Sequence, residues 1–597
     1  MGIWHRATSQ RAAAGNAAPQ RASAASTSRS RRRIAIPTGP RGLAPEVRSR
    51  IALLTLCAFT YLYVYPYFPK INNPNENVRL YMTAAIVEDG TYAIDRMRTR
   101  WGWVNDAAVF DGHIYSVKAP GTSLLGIPAY AASLYLSKDF DRDQALWWCR
   151  VWSSILPALA FLFLLHHHLH GLTRDPLLRD SVFITVAIGS VLYGYSLLFV
   201  SHTTSAGCAF AAYHLLRAAP RPSSRPPARP LLAGLAAACV TLFEYPGLLA
   251  SLGLTLYAGY QYRKQPRAIL YYGLGALPPT LLVMHFQYCA FDNPFMPGHL
   301  FVESDAFRAA HHEGIYGAVG PNWNAFYGLL FAPGAGLFPL CPLLSLALPG
   351  AIVAARTRGE RAALLCNFGL CCSTLLAIAS MNNWRGGWTI GPRYLALLIP
   401  FLAVLALRGL DRLANRLPTT ARALALSGAI MGIWSSGTLS AYYPHLPTRL
   451  NRPLAQLIPV LWNWDFAPYN AAGALNLYGS TTMIPLLVAA ALMVLLATSW
   501  QRGWYSLLAA TPLYALGIWL TLSNVHTPLK ARYDVNLVTR TWTPNGHDFP
   551  TKARIRWHER REKPNAEELR AVIHAYRAMQ RGPEARALTR YLNAIKD

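Results

Sequence analysis

A carboxylate and a lysine stand out in the long polar stretch that runs from Asn72 to Tyr130 between two apolar segments. Glu76 follows a membrane-length apolar segment by a few residues, and Lys118 lies further along in a Lys-Ala-Pro-Gly sequence. A carboxylate can accept a proton from an attacking hydroxyl, and an ammonium group can stabilise a phosphate. Two such groups near a membrane surface suit a site that handles a phosphate-linked substrate carried by a lipid.

Three further side chains lie where apolar segments begin, end or are interrupted. Arg393 follows a Gly-Pro pair at the start of an apolar segment, which suits bidentate recognition of a phosphate. Glu244 interrupts an apolar run, where a carboxylate is costly unless it faces a cavity or a partner. His202 lies at the end of an apolar segment, and a lone histidine there is more often a hydrogen-bonded structural residue than a ligand. Glu244 is therefore a further candidate site residue. His202 is kept as a candidate as well, although the structural role is the more common one.

The two loop residues also have simpler interpretations. Glu76 can be read as a solvated loop acid that pairs with Arg79, one helical turn further on. Lys118 can be read as an interfacial lysine whose stem lies along the membrane while its ammonium group stays in water. Under either interpretation Arg79 belongs to the same neighbourhood, and we include it among the candidates.

The composition excludes an ordinary soluble globular protein. Of 597 residues, 53% are hydrophobic and 14% are charged, whereas about 25% are charged in soluble domains. The net charge of +28 comes from short basic clusters between apolar segments, which indicates membrane topology rather than a nucleic-acid partner. The nine cysteines lie in or beside apolar segments without CxxC spacing, so we expect buried thiols and no zinc site. The histidine run 166–168 lacks acidic or thiol companions, and we predict no metal site there.

Apolar segments of about 20 residues predict an all-α polytopic membrane protein. The segment Leu231–Tyr260 decides the topology, because it is too long for one ordinary span and carries Glu244 and Pro246 in its middle. If the chain turns there, all the later basic clusters fall on the cytoplasmic side, so the charge rule favours a turn and about thirteen spans in total. The predicted segments are Ile51–Phe68, Val151–His170, Ser181–Val200, Thr203–Ala219, Leu231–Tyr260, Ala268–Ala290, Ala325–Ala355, Ala362–Met381, Tyr394–Leu410, Ala421–Tyr442, Thr481–Trp500 and Trp504–Leu522.

The predicted topology divides the chain into three parts. Residues 1–50 are rich in Arg, Ser and Ala, and we expect a disordered basic tail in the cytoplasm. Residues 51–522 form the transmembrane domain, with a large first outer loop at 70–150. Residues 523–597 form a small outer domain with two amphipathic helical patterns, Ala566–Met579 and Pro583–Ile595. We therefore expect a multi-pass protein, most simply of a bacterial inner membrane.

The order of these motifs resembles the GT-C membrane glycosyltransferases of family 39 type. The branch it is most similar to includes the protein O-mannosyltransferases and the lipid A aminoarabinose transferases. The resemblance covers roughly Ile51 to Leu522. It is carried by an acid at the start of a large first loop, a Lys-x-Pro element later in that loop, and the segments SHTTSAG, FEYPGLLA, FDNPFMP, GLLFAPGAGLFPLCPLL and GGWTIGPRYL.

The resemblance implies a fold and a set of site residues. It implies a GT-C-like bundle with its site in the first outer loop. The Asp-Glu pair of the family falls on Asn75 and Glu76, its Lys-Pro-Pro element on Lys118 to Pro120, and its late arginine on Arg393. Because the family's catalytic acid-base position is Asn75 here, Glu76 is expected to act as the base. Lys118 and Arg393 are expected to hold the donor phosphate.

The implied reaction is transfer of a sugar from a polyprenyl-phosphate donor to an acceptor hydroxyl on the outer face, with inversion. The acceptor is a glycan, a lipid or a protein. No cofactor is predicted, and a need for a divalent metal stays open. A lipid or solute transporter with Glu76 and Glu244 in ion coupling is the first alternative, although we find no internal repeat. A catalytically inactive GT-C-like scaffold is the second, because of Asn75.

Overall fold

The computed structural model is mainly helical and contains one two-stranded hairpin. It describes residues 45–64, 73–138, 140–217, 228–357, 359–442, 444–463 and 467–523 except 469, 476, 478 and 501–502, and short stretches beyond that include 566–578. Residues 1–48 form one unit and residues 49–597 a second. The predicted basic tail therefore lies almost wholly outside the described residues, and the second C-terminal helical pattern lies partly outside them.

The helices and strands follow one another from the first apolar segment to the C-terminal region. Regular 3₁₀ or π turns join several of them, notably at Val151–Ile155, Tyr245–Gly247 and Arg393–Leu398. The elements are α1 Pro45–Tyr63, α2 Pro74–Asp89, α3 Asp95–Trp101, β1 Ala107–Phe110, β2 His113–Ser116, α4 Gly121–Leu136, α5 Arg142–Arg150, α6 Leu156–His170, α7 Pro176–Ile188, α8 Val191–Ser196, α9 His202–Arg217, α10 Ala228–Phe243, α11 Leu248–Tyr262, α12 Pro266–Phe291, α13 Asp305–His312, α14 Trp323–Leu330, α15 Leu337–Leu340, α16 Ala347–Ala355, α17 Arg361–Ala379, α18 Ile399–Ala414, α19 Pro418–Gly432, α20 Thr438–Tyr442, α21 Pro453–Gln456, α22 Ile458–Asn463, α23 Ile484–Thr498, α24 Gly503–Leu522 and α25 Ala566–Ala578.

The prediction of an all-α polytopic membrane protein is confirmed. Within the described residues, 7 helices are long and apolar enough to cross a membrane, and three shorter apolar helices accompany them. Two segments predicted as continuous spans are broken. Ser181–Val200 divides between α7 and α8 at Gly189, and Ala325–Ala355 divides into short helices around Pro333 and Pro342. Proline removes a backbone donor and ends helices, which accounts for the second break, whereas the first break falls at Gly189, a residue type that weakens helices.

The predicted turn in the long segment Leu231–Tyr260 is confirmed. Helix α10 ends at Phe243, a 3₁₀ turn spans Tyr245–Gly247, and α11 begins at Leu248. The hydroxyl of Ser251 donates to the carbonyl oxygen of Ala237 at 2.7 Å, so α11 returns alongside α10. The chain therefore reverses direction at Glu244 and Pro246.

Basic segments from distant parts of the sequence meet at one end of the bundle. Arg217 from the end of α9 and Arg408 from α18 both pair with Glu360, at 2.7 Å for Arg217. Arg422 pairs with Asp175 at 2.8 Å at the same end. The charge rule placed these segments on one side of the membrane, and the structure brings them together.

The nine cysteines are free thiols, but not all of them are buried. Cys289 and Cys372 are exposed, so the expectation of uniformly buried thiols is wrong for these two. Both lie on helices that are candidate membrane spans, where a side chain can face lipid instead of the protein core.

Candidate functional site

Glu76 lies in the first turn of α2, whose start the local sequence specifies. Asn73 caps the helix by accepting a hydrogen bond from the backbone N–H of Asn75 at 3.1 Å, and Pro74 occupies the first helical position. The Glu76 side chain is buried and forms a two-pronged ion pair with Arg150, at 2.7 and 2.8 Å. The interpretation of Glu76 as a solvated acid paired with Arg79 is therefore wrong.

Each of the two carboxylate oxygens of Glu76 accepts two hydrogen bonds. Oε1 accepts from Arg150 and from the backbone N–H of Phe199 at 2.6 Å, and Oε2 accepts from Arg150 and from the Asn73 amide at 2.9 Å. Burial alone raises the pKa of Glu76, but Arg150, His445 and the Phe199 N–H together lower it below its usual value. The carboxylate is thus anionic and firmly held.

Arg79 lies one turn further along α2, and its guanidinium is also buried. One nitrogen donates to the backbone oxygen of Asn75 at 2.8 Å and also to its side-chain oxygen, and another donates to the Ser201 hydroxyl at 2.9 Å. The Nε atom has no hydrogen-bond partner among the described residues. Asn75 therefore orients Arg79, which keeps one unused donor.

Lys118 is positioned by the β1–β2 hairpin. Asp111 and Gly112 form its turn, both with positive φ (47° and 77°), which matches the Asp-Gly preference of two-residue turns. Strand pairing places Ala107 opposite Ser116, and the backbone N–H of Val117 donates to the carbonyl oxygen of Asp106 at 3.2 Å, so Lys118 follows directly after the residue opposite Asp106. The Lys118 ammonium group lies 3.1 Å from a carboxylate oxygen of Asp106.

Asp106 is a carboxylate that the sequence analysis did not single out. Its side chain is 29% exposed, whereas that of Glu76 is 2% exposed. Burial raises the pKa of Asp106, but Lys118, Arg393 and Arg79 together lower it below its usual value. It is therefore ionised at neutral pH, in contact with Lys118 and within electrostatic reach of Arg393 and Arg79.

Arg393, His202 and Glu244 line one small cavity. Arg393 donates to the Tyr394 hydroxyl at 2.9 Å, and its Nε atom is buried without a partner among the described residues. His202 Nδ1 lies 3.1 Å from a carboxylate oxygen of Glu244, which also accepts from Ser201. His202 Nε2 likewise has no partner within the described chain. The Glu244 carboxylate thus has partners, as a charge at this depth requires.

The structure therefore brings together five of the predicted candidates. Arg79, Lys118 and Arg393 all act electrostatically on Asp106, and Arg79 also acts on Glu244, which holds His202. Glu76 and Asn75 lie directly behind this group on α2. The described residues contain no group of three or more His, Cys, Asp or Glu side chains placed to hold a metal.

Besides Asp106, sequence reasoning missed residues that support the site from other helices. Arg150 and Phe199 fix Glu76, and Ser201 links Arg79 to Glu244. No local signal marked these residues, since their partners lie far away in the chain. Asp106 had a partial signal, because an Asp-Gly turn at 111–112 sets a hairpin register that places it opposite Val117, one residue before Lys118.

Comparison with known proteins gives structural similarities alone. No protein-family model matches the chain, and no curated protein does. ArnT from Cupriavidus metallidurans in the apo state is 16% identical, with 80% of this chain and 75% of that chain covered and a TM-score of 0.43. The Archaeoglobus fulgidus oligosaccharyltransferase is 15% identical over 66% of this chain and 52% of its own, with a TM-score of 0.41. The arabinosyltransferase EmbB from Mycobacterium smegmatis is 12% identical over 87% and 44%, with a TM-score of 0.42. With TM-scores this low, the function has to be argued from the residues of the site.

Proposed function

We propose that this protein is a membrane glycosyltransferase that moves a sugar from a polyprenyl-phosphate donor to an acceptor hydroxyl. The observation that carries the proposal is the contact of Lys118 with the Asp106 carboxylate at 3.1 Å, together with Arg79 and Arg393, which both lie within electrostatic reach of that carboxylate. This grouping lies next to candidate membrane helices, where a lipid-borne phosphate can reach it. The orientation is the predicted one, with this end of the bundle outside and the N-terminus in the cytoplasm.

The three cations are suited to hold the donor phosphate. Arg79 and Arg393 each keep a buried Nε–H without a partner among the described residues. A phosphate oxygen would satisfy these donors, and an arginine fork binds phosphate in a directed way. Lys118 adds a compact charge that stabilises the phosphate as it leaves. This is the phosphate-binding role that the sequence predicted for Lys118 and Arg393, extended to Arg79.

We assign the role of general base to Asp106 in preference to Glu76. Each carboxylate oxygen of Glu76 already accepts two hydrogen bonds from the protein, which leaves little room for a substrate hydroxyl. Asp106, in contrast, is partly exposed beside the proposed phosphate-binding cations. Asp106 accepts the proton of the acceptor hydroxyl while the oxygen of that hydroxyl forms a bond to the anomeric carbon. The bond from that carbon to the phosphate oxygen breaks, and polyprenyl phosphate leaves with the electron pair. A single displacement of this kind inverts the anomeric carbon.

This assignment also accounts for Asn75, which replaces the acid of the family that the motifs resemble. The side chain of Asn75 accepts from Arg79, so at this position it orients a cation. Asp106 would then supply the carboxylate that position 75 lacks. Glu76 keeps α2 in place through Arg150, and its own role as base is the alternative to be tested.

The test is a transfer assay with the purified full-length protein. Radiolabelled polyprenyl-phosphate sugars are incubated with the protein and membrane extract, and label that leaves the lipid is measured. The Arg393→Lys variant tests the role of the guanidinium group, because a lysine retains the charge but cannot replace a bidentate fork. Label transferred by the parent protein and much less by the variant supports the proposal. In a second format, the purified protein is reconstituted in vesicles that contain the labelled lipid. Label that crosses the vesicle membrane but stays on its lipid would indicate a flippase instead.

A further inference from the structure

A second cavity lies at the end of the bundle opposite the candidate site. It has a volume of about 620 Å³ and is lined by His167, His168, His214, Arg217 and Arg263, among others. Helix α9 connects the two places, with His202 at its start and His214 in its last turn. At about 1.5 Å per residue the two histidines are roughly 18 Å apart along the helix, too far for one phosphate group to contact both.

The cavity carries an excess of positive charge. Glu360 is the acidic residue in its lining, and it already pairs with Arg217 and with Arg408 behind it. Arg263 donates to the backbone oxygen of Tyr260 and lies over the Tyr260 ring, so no carboxylate in the described residues neutralises it. Three guanidinium groups and one carboxylate therefore lie in or beside the cavity.

Two histidines in the wall share a proton. Nδ1 of His168 and Nδ1 of His214 lie 2.8 Å apart, so one ring donates and the other accepts. A neutral ring that accepts at Nδ1 must carry its own proton on Nε2. The His168 side chain is buried, and its Nε2 has no partner among the described residues. In the tautomer in which His168 accepts at Nδ1, its Nε2–H is a donor, and an anion in the cavity would accept from it.

We propose that this cavity binds the phosphate group of an organic phosphate or of a lipid headgroup. Two arginines and an imidazole donor match phosphate oxygens, and the volume leaves room for an organic part beside Tyr257 and Gln261. A metal is disfavoured, because among the described residues that line the cavity the histidines are accompanied by arginines and by Glu360 as the single carboxylate. The proposal is independent of the transferase function, since none of these residues belongs to the candidate site.

The test measures thermal unfolding of the full-length protein in detergent. The Lys118→Ala/Arg393→Lys background weakens phosphate binding at the candidate site. In the first arm, glycerol 3-phosphate is titrated into the protein in detergent, and sodium chloride of equal ionic strength is the control. In the second arm, the protein is placed in phosphatidylcholine nanodiscs with and without phosphatidic acid. We expect phosphate-dependent stabilisation. A response to phosphatidic acid alone assigns the site to a lipid headgroup, whereas a response to glycerol 3-phosphate assigns it to a soluble phosphate.

Three further variants assign the response to this cavity. Arg217→Gln with Arg263→Gln should need at least about tenfold more ligand, since each lost charge-assisted contact weakens binding. Glu360→Gln should need less ligand, because it removes the opposing charge and releases two arginines. Arg96→Gln, at an exposed arginine, should respond as the background does. The absence of stabilisation by either probe, or equal responses in all these variants, would overturn the proposal.

Discussion

At the residue scale, the two acids nearest the phosphate-binding cations differ in what surrounds them. Glu76 is enclosed by hydrogen-bond donors from three parts of the chain, and Asp106 faces Lys118 and keeps an exposed edge. A carboxylate that is fully enclosed stabilises structure, whereas one with an exposed edge can approach a substrate. The two residues can therefore be separated by what their substitution changes.

Asp106→Asn is expected to lower the rate of transfer by about 10²–10⁴-fold, the usual contribution of a positioned general base. The substitution keeps the size of the side chain, so donor binding and thermal stability should change little. Asp111→Asn is the matched control, since Asp111 lies in the exposed hairpin turn with positive φ, which Asn tolerates. A normal rate in Asp106→Asn, measured in the transfer assay, would show that another group takes the proton.

Glu76→Gln is expected to reduce stability first, and activity as a consequence. Breaking a buried ion pair on one side costs about 3–5 kcal/mol, because Arg150 is left buried without its partner charge. Asp305→Asn is the control, because it removes a carboxylate from an ion pair in which the aspartate is 88% exposed, where about 0–1 kcal/mol is at stake. Thermal unfolding in detergent separates the two. Unchanged stability together with lost transfer would return the base to Glu76.

The pH dependence of transfer tests the contact between Lys118 and Asp106. The pKa of Asp106 lies below its usual value, in part because of Lys118, so the carboxylate stays ionised until the pH falls through that lowered pKa. Lys118→Ala removes one of these cations and raises the pKa. Its residual activity should therefore decline at a higher pH than that of the parent. Coinciding acid limbs in the two rate profiles would exclude Asp106 as the titrating base.

At the element scale, glycines decide how closely α10 and α12 approach each other. A Cβ atom added at Gly234 would lie 1.9 Å from the Tyr272 backbone oxygen, and one at Gly275 would lie 1.9 Å from the Leu231 backbone oxygen. Small residues allow such close backbone contact between membrane helices. Because α10 ends directly before Glu244, this packing also fixes the position of the cavity that holds His202 and Arg393.

Gly275→Ala is expected to destabilise the protein, although alanine is the better helix former. Alanine in place of glycine in a helix gains about 0.5–1 kcal/mol, but overpacking a close contact costs about 1–3 kcal/mol. Gly273→Ala on the same helix is the matched control, since its added Cβ would meet no atom within 4 Å. Thermal unfolding should therefore move in opposite directions for the two variants. A Gly275→Ala protein as stable as Gly273→Ala would contradict the close packing of α10 on α12.

At the scale of the whole molecule, the two ends of the bundle differ in chemistry. One end gathers the candidate site from α2, the hairpin, the α10–α11 turn and the segment before α18, and the other gathers the basic segments around Glu360. The positive-inside rule assigns the basic end to the cytoplasm. The candidate site would then lie on the outer face, where the proposed acceptor is found.

Thiol labelling of intact cells tests this orientation. The exposed Cys289 and Cys372 are first replaced by serine. In this background, cysteine is introduced at Val319 or at Thr357, which are both exposed. An impermeant thiol reagent should label Val319→Cys and leave Thr357→Cys unmodified until the cells are opened. Labelling in the reverse sense would invert the topology and move the candidate site to the cytoplasm.

The sequence by itself determined the features that depend on neighbouring residues. Apolar length specified the membrane helices, and a carboxylate followed by proline specified the reversal at Glu244 and Pro246. Lys118 and Arg393 were recognised as phosphate-binding candidates from their local settings. Asp106 was partly within reach of the same reasoning, because the Asp-Gly turn sets a register that places it opposite Val117, but its contact with Lys118 is a side-chain contact that the register alone does not specify.

Only the tertiary structure decided which charges are paired. Glu76 has its partner Arg150 74 residues away, and Arg79 meets Ser201 122 residues away. No spacing rule reaches across such separations, because the contacts arise only once several helices have packed together. A buried carboxylate needs a partner on energetic grounds, but helix packing determines which residue that partner is. For this reason the sequence indicated several residues of the candidate site, while the structure distinguished the enclosed carboxylate of Glu76 from the partly exposed carboxylate of Asp106.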